Sequence, residues 1–172
     1  MKDIRSELLR ELDCIDHLIE CGSLSRYRKA MNFAIENGYG TICDIGCAYG
    51  HQSELFKGEL NYIGINDNLL RFYNANEENI KYIVDDYPNR NIKRFIPENT
   101  LAVSILCMGW ECYKVRDDEF DRQFKAISED FAACLLYMPL EREEILQKYY
   151  KNIAIIEKNE KSPVKTGWFY CY

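Results

Sequence analysis

Apolar residues at Ile4, Leu8, Leu9, Leu12, Ile15, Leu18 and Ile19 recur every three to four positions, which predicts one apolar helical face ended by Gly22. Ser23 suits the cap of a second helix, whose apolar positions are Leu24, Tyr27, Met31, Ala34 and Ile35 and which stops near Asn37 and Gly38. Residues 1–38 therefore read as a helical preface.

Beyond Gly40 the period changes. Short apolar runs at 41–45, 62–65, 81–84, 101–106, 132–138, 153–156 and 168–171 predict seven strands. Helical segments are expected at 52–56, 68–75, 91–95, 118–128 and 141–150, so the first six strands alternate with helices. That alternation implies a mainly parallel sheet covered on both faces. The last two runs are separated only by residues 157–167, where Asn159, Ser162, Pro163 and Gly167 give turn character without a helical period. A parallel crossover needs a dozen or more residues, so these two strands are expected to pair as a hairpin with the seventh reversed. With no repeat or linker in view, residues 1–172 are expected to form one domain, the preface followed by an α/β core at 39–172.

The candidate chemistry starts at the end of the first strand. Thr41-Ile42-Cys43-Asp44-Ile45 leads into Gly46-Cys47-Ala48-Tyr49-Gly50 and then a helical segment, so a small-residue turn sits between strand and helix. Gly46 permits backbone angles closed to other residues and lets a ligand approach, and Gly50 permits close packing of the next segment. Amides at such a helix start face a ligand. The dinucleotide fingerprint would need glycines where Ala48 and His51 stand, and a phosphate-binding P-loop would need a second glycine followed by Lys and Ser or Thr. Neither pattern is present.

What remains, D-x-G-x-x-x-G with a small central residue, resembles motif I of the class I S-adenosylmethionine-dependent methyltransferases. The order of elements over residues 24–172 is similar to that family as well. The resemblance implies a Rossmann-like methyltransferase fold with S-adenosylmethionine as cofactor. It places Asp44 near the methionyl amino group, with the Gly46, Cys47 and Ala48 backbone beside the methionine and ribose. Where the family usually carries a ribose-binding acid, this chain has Asn66 followed by Asp67. Asn66 offers one amide oxygen where a carboxylate would accept two charge-assisted bonds, so either weaker affinity or a ribose contact from Asp67 follows. Asp86 matches the position that accepts from the adenine amino group, and Tyr87 would flank the ring.

Cys107-Met108-Gly109-Trp110 falls where family members line the transfer site. It carries neither the proline-rich motif of adenine amino methyltransferases nor the Pro-Cys of cytosine C5 enzymes, and Cys107 reads as a packed thiol rather than a nucleophile. Trp110, Glu111 and Tyr113 suit a pocket wall or ordinary loop packing, and His51 a neutral-pH base or a first-turn residue. No residue is assigned a catalytic role.

Charge narrows the partners. A formal net charge of -6 opposes a surface built to neutralise long phosphate backbones, so duplex DNA is not the expected acceptor and a small molecule or protein side chain is. Arg26, Arg28 and Lys29 form one local basic cluster, too small to overturn that balance. Residues 1–12 are charged, and no apolar run approaches the roughly 20 residues of a membrane span, so a cytoplasmic protein is expected. The eight cysteines form no CxxC pair and the only histidines are His17 and His51, which points to buried thiols and to no metal site. Nothing in the pattern sets the oligomeric state. The expected activity is methyl transfer; the alternative is a noncatalytic protein of this fold that binds the cofactor or a protein partner, which Asn66 and the absence of an inserted substrate domain would favour.

Overall fold

The structure, a computed structural model, describes residues 23–66, 72, 74–85, 87–88, 92–105, 117–161 and 163–172. The expected helix at 4–19 and most of the one at 68–75 lie outside them. Helix α1 (Ser23–Glu36) precedes β1 (Thr41–Ile45), β2 (Asn61–Asn66), β3 (Ile80–Val84) and β4 (Thr100–Ile105). Helix α2 (Asp117–Asp130), β5 (Ala133–Pro139), α3 (Glu143–Leu146), β6 (Ile153–Asn159) and β7 (Thr166–Cys171) complete the order.

The strands form one sheet in the order β3-β2-β1-β4-β5-β7-β6. Neighbours from β3 to β5 pair in parallel, whereas β7 runs antiparallel to both β5 and β6. The seven-stranded, mostly parallel sheet with a reversed last strand is the architecture that the apolar runs predict. Strand order reverses between β1 and β4, which opens a crevice at their carboxyl ends.

Both faces are covered. On one, Tyr27, Ala30 and Ala34 of α1 pack on Ile42, Leu101, Val103, Leu135 and Trp168. On the other, Phe120, Phe124 and Ile127 of α2, with Leu146 of α3, cover Cys43, Ile45, Ala102, Leu136 and Phe169. Odd and even positions of β1 thus feed opposite cores, as the alternation of side chains along a strand requires.

Three expectations need correction. Residues 51–56 and 92–95 wind as 3-10 turns rather than α-helices. The tighter winding rises about 2.0 Å per residue against 1.5 Å, so a short segment returns the chain further along the sheet. The segment at 141–150 is helical only over 140–146, a 3-10 turn running into α3, with Leu146 and Tyr150 as its buried anchors. The last hairpin also extends past its apolar residues, because Glu157, Lys158 and Asn159 pair with Trp168, Gly167 and Thr166. Backbone pairing on an edge strand does not need apolar side chains.

Among the described residues, no helix is long and apolar enough to cross a membrane. The cysteines at 43, 47, 134 and 171 are buried free thiols, and among the described residues no group of three or more His, Cys, Asp or Glu side chains could hold a metal ion.

Candidate functional site

The turn after β1 stands at the carboxyl edge of the sheet beside the β1–β4 crevice. Its backbone has positive φ at Gly46 (83°), Ala48 (48°) and Gly50 (74°). Alanine in the left-handed region is strained by about 1 kcal/mol, so the turn is held by its surroundings rather than by local preference. Gly46 and Ala48 are exposed, which leaves a surface free of bulky side chains. Two amides of the turn are already engaged, because Gly46 N and Cys47 N both donate to Ile65 O, at 2.9 and 3.0 Å. These two bonds stitch the turn to β2. Cys47 points its thiol into the core.

Beneath the turn lies a buried acid. Asp44 is fully enclosed, and its carboxylate accepts from Tyr62 Oη at 2.6 Å, Gln52 Nε2 at 2.7 Å and Tyr27 Oη at 3.1 Å. Burial raises its pKa to about 6, and the three hydrogen bonds oppose that rise without cancelling it. The three residues supply only neutral donors. Gln52 also donates to Cys47 O at 2.9 Å, so one side chain ties the acid to the turn above it. Both carboxylate oxygens of Asp44 are bonded to protein groups.

Gly50 serves packing rather than ligand approach. Tyr82 of β3 stacks on Phe72 with ring centroids 4.3 Å apart and donates its hydroxyl to Gly50 O at 3.2 Å. An added Cβ at position 50 would lie 2.6 Å from Tyr82 Cε1. His51 opens the 3-10 segment, buried and near the Tyr49 ring.

At the end of β2, Asn66 is half-buried and its carbonyl accepts from Asp85 N at 2.9 Å, which brings the ends of β2 and β3 together at the edge. The Tyr87 ring is buried in the α2 side of the core and its hydroxyl donates to Asp130 at 3.3 Å. Asp67, Asp86, Cys107, Trp110, Glu111 and Tyr113 lie outside the described residues.

Sequence reading passed over Tyr27, Gln52 and Tyr62. The signal was Asp44 itself, since an acid inside an otherwise apolar strand demands nearby donors.

No protein-family model matches the sequence, and no curated protein does. Solved structures do match the fold. The N-terminal domain of EvdMO1, crystallised with SAH bound, is 13% identical with a TM-score of 0.62, over 86% of this chain and 79% of that one. The bifunctional kinase-methyltransferase WbdD is 15% identical with a TM-score of 0.60, over 90% of this chain and 39% of WbdD. The methyltransferase domain of bacterial CtHen1-C is 12% identical with a TM-score of 0.61, over 87% of this chain and 98% of that domain. The chain spans 40% of the length of whole EvdMO1. The reversed seventh strand, the switch between β1 and β4 and these likenesses together give the chain the fold of the class I S-adenosylmethionine-dependent methyltransferases.

Proposed function

We propose that the chain binds S-adenosylmethionine along the carboxyl edge of β1 and β2 and transfers its methyl group to a small molecule or a protein side chain. On this proposal residues 1–172 form one domain. The observation that carries the reading is the buried Asp44, bonded only by neutral donors, directly below the exposed Gly46–Ala48 turn. An ionised carboxylate in that position favours a cation over the turn, and the interior screens the attraction little. A methionyl ammonium supplies that cation without touching Asp44. Gly46 and Ala48 leave room for the chain of the ligand, and Asn66 offers an amide to the ribose.

The bound donor supplies a methyl carbon already activated by its sulfonium. The acceptor lone pair forms the new bond, the carbon–sulfur pair stays on sulfur, and the acceptor's proton leaves to solvent. What the protein must add is alignment and exclusion of water.

Calorimetry with S-adenosylmethionine, S-adenosylhomocysteine and NAD tests the reading; tight binding of NAD alone would overturn it. Affinity for S-adenosylhomocysteine is expected to rise about tenfold between pH 5 and pH 7.5, because Asp44 gains its charge near pH 6 in the folded protein. A flat profile would separate Asp44 from the ligand. Asn66→Asp is expected to strengthen binding by about tenfold through charge-assisted ribose bonds. A weakened complex would move the ribose contact away from position 66. Tritiated cofactor offered to nucleic acid, protein extract and small metabolites is expected to label protein or small metabolites, and label confined to DNA would refute the acceptor class.

A further inference from the structure

A second concave surface lies on the same edge of the sheet. An open groove of about 1010 Å³ is lined by Arg26 and Lys29 of α1, Tyr137 of β5, Trp168 of β7, and Lys158 and Lys161 at the end of β6 and just beyond it. Its size is at the upper end of small-molecule sites. Register fixes its position relative to the turn. Asp44 is level with Val103, and Val103 with Leu135, so Tyr137, two residues further on, is level with Gly46. The lateral distance is two strand spacings, about 10 Å. Tyr137 and Asp44 also face the same side, since α1 packs over both. The groove is therefore on the β4–β5 side of the turn, opposite the β2 side that the proposed cofactor occupies.

Its chemistry is uneven. Tyr137 and Trp168, with ring centroids 5.1 Å apart, make a buried apolar floor. The Arg26 guanidinium stands over the Tyr137 ring, 4.6 Å from its centroid. Lys29 is ion-paired with Glu157 across the groove wall. The cations of the lining, Arg26, Lys29, Lys158 and Lys161, outnumber its acids, Glu157 and Glu160. In a chain of net charge -6, this is a concentration of positive charge at a cavity. The same field acts on the floor: burial alone would raise the Tyr137 pKa, yet its bond to Thr166 and the charge of Arg26 lower it overall.

We propose that this groove seats the methyl acceptor and that the acceptor is a small organic anion with an apolar body, its carboxylate or phosphate oxygens on Arg26, Lys158 and Lys161 and its body on the Tyr137–Trp168 floor. The inference rests on the function proposed above. It adds the chemical class that the acceptor must have. The transfer balances as written there, with the acceptor losing one proton and its anionic group unchanged.

The test reads Trp168 fluorescence in a full-length Trp110→Phe protein, so that position 168 holds the single tryptophan. Benzoate and phenyl phosphate are titrated as anionic probes, benzamide and benzylamine as neutral and cationic ones. The anions are expected to quench or enhance the signal saturably, and their ratio decides between carboxylate and phosphate. Lys158→Glu with Lys161→Glu, both on the exposed hairpin end, is expected to weaken anion binding by about tenfold to a hundredfold. Arg26→Gln should do the same. The hairpin variant should leave S-adenosylhomocysteine affinity within about twofold. Equal binding of benzamide, or anion binding insensitive to both sets of variants, would overturn the proposal. If the anions bind and no cofactor does, the groove stands and methyl transfer falls; if the cofactor binds and neither anion does, the groove proposal falls alone.

Discussion

Asp44→Asn is expected to stabilise the protein at neutral pH, by up to about 3 kcal/mol, while weakening cofactor binding. The folded carboxyl loses its proton near pH 6 and the unfolded one near 3.8. Between those values the folded state holds the extra proton, so the stability linked to this group is complete below pH 3.8 and is lost as pH rises through 6. At pH 7 the buried anion therefore works against folding. Asparagine keeps the shape and removes the charge. Its oxygen accepts from Tyr62 and Gln52, and its amide donates to Tyr27, whose hydroxyl serves as acceptor as readily as donor. Urea denaturation of both proteins from pH 4 to 8 should show stabilities that meet near pH 4, separate as pH rises to about 6, and differ by a constant amount above it. A variant less stable than the parent at pH 7 would mean that the anion is held by more than these three neutral donors. The expected loss of affinity alongside the gain in stability is the trade expected where a functional site keeps a destabilising charge.

Gly50→Ala should cost about 2–4 kcal/mol. Its φ of 74° is unfavourable for alanine, and the new methyl would lie 2.6 and 2.7 Å from the ring atoms Cε1 and Cζ of Tyr82. Tyr82 has little room to retreat, being stacked on Phe72 and set edge-on against Tyr62. Moving it also breaks the bond to Gly50 O. A double-mutant cycle separates the two causes. In a Tyr82→Ala background only the backbone strain remains, so Gly50→Ala should then cost about 1 kcal/mol. A full penalty in that background would assign the whole effect to the turn conformation.

The legible parts of this chain were those with a local period. The apolar run at 41–45 matches β1 residue for residue, and the short polar link at 157–167 rightly foretold the hairpin and the reversed β7. Less legible were segments whose length, not polarity, decides their form. Residues 51–56 carry helical character but must return the chain to the amino edge in few residues, and they wind as a 3-10 turn. Tyr87 was legible as an aromatic near the third strand's end, but its partner Asp130 lies 43 positions away. No window along the chain contains both.

By itself the sequence determined the layered α/β architecture, the glycine-containing turn and the acid beneath it, because strand and helix periods and the glycine requirement at positive φ are properties of neighbouring residues. Only the tertiary structure decided what that acid does. Tyr27 and Tyr62 reach Asp44 from 17 and 18 positions away in opposite directions, enclosing a carboxylate that the linear pattern leaves open to a ligand. It likewise decided that Arg26, Lys158 and Lys161 share one groove with Tyr137 and Trp168. Burial and charge at a point in space depend on which distant segments the packing of the sheet brings together, and that sum is not written in any one stretch of chain.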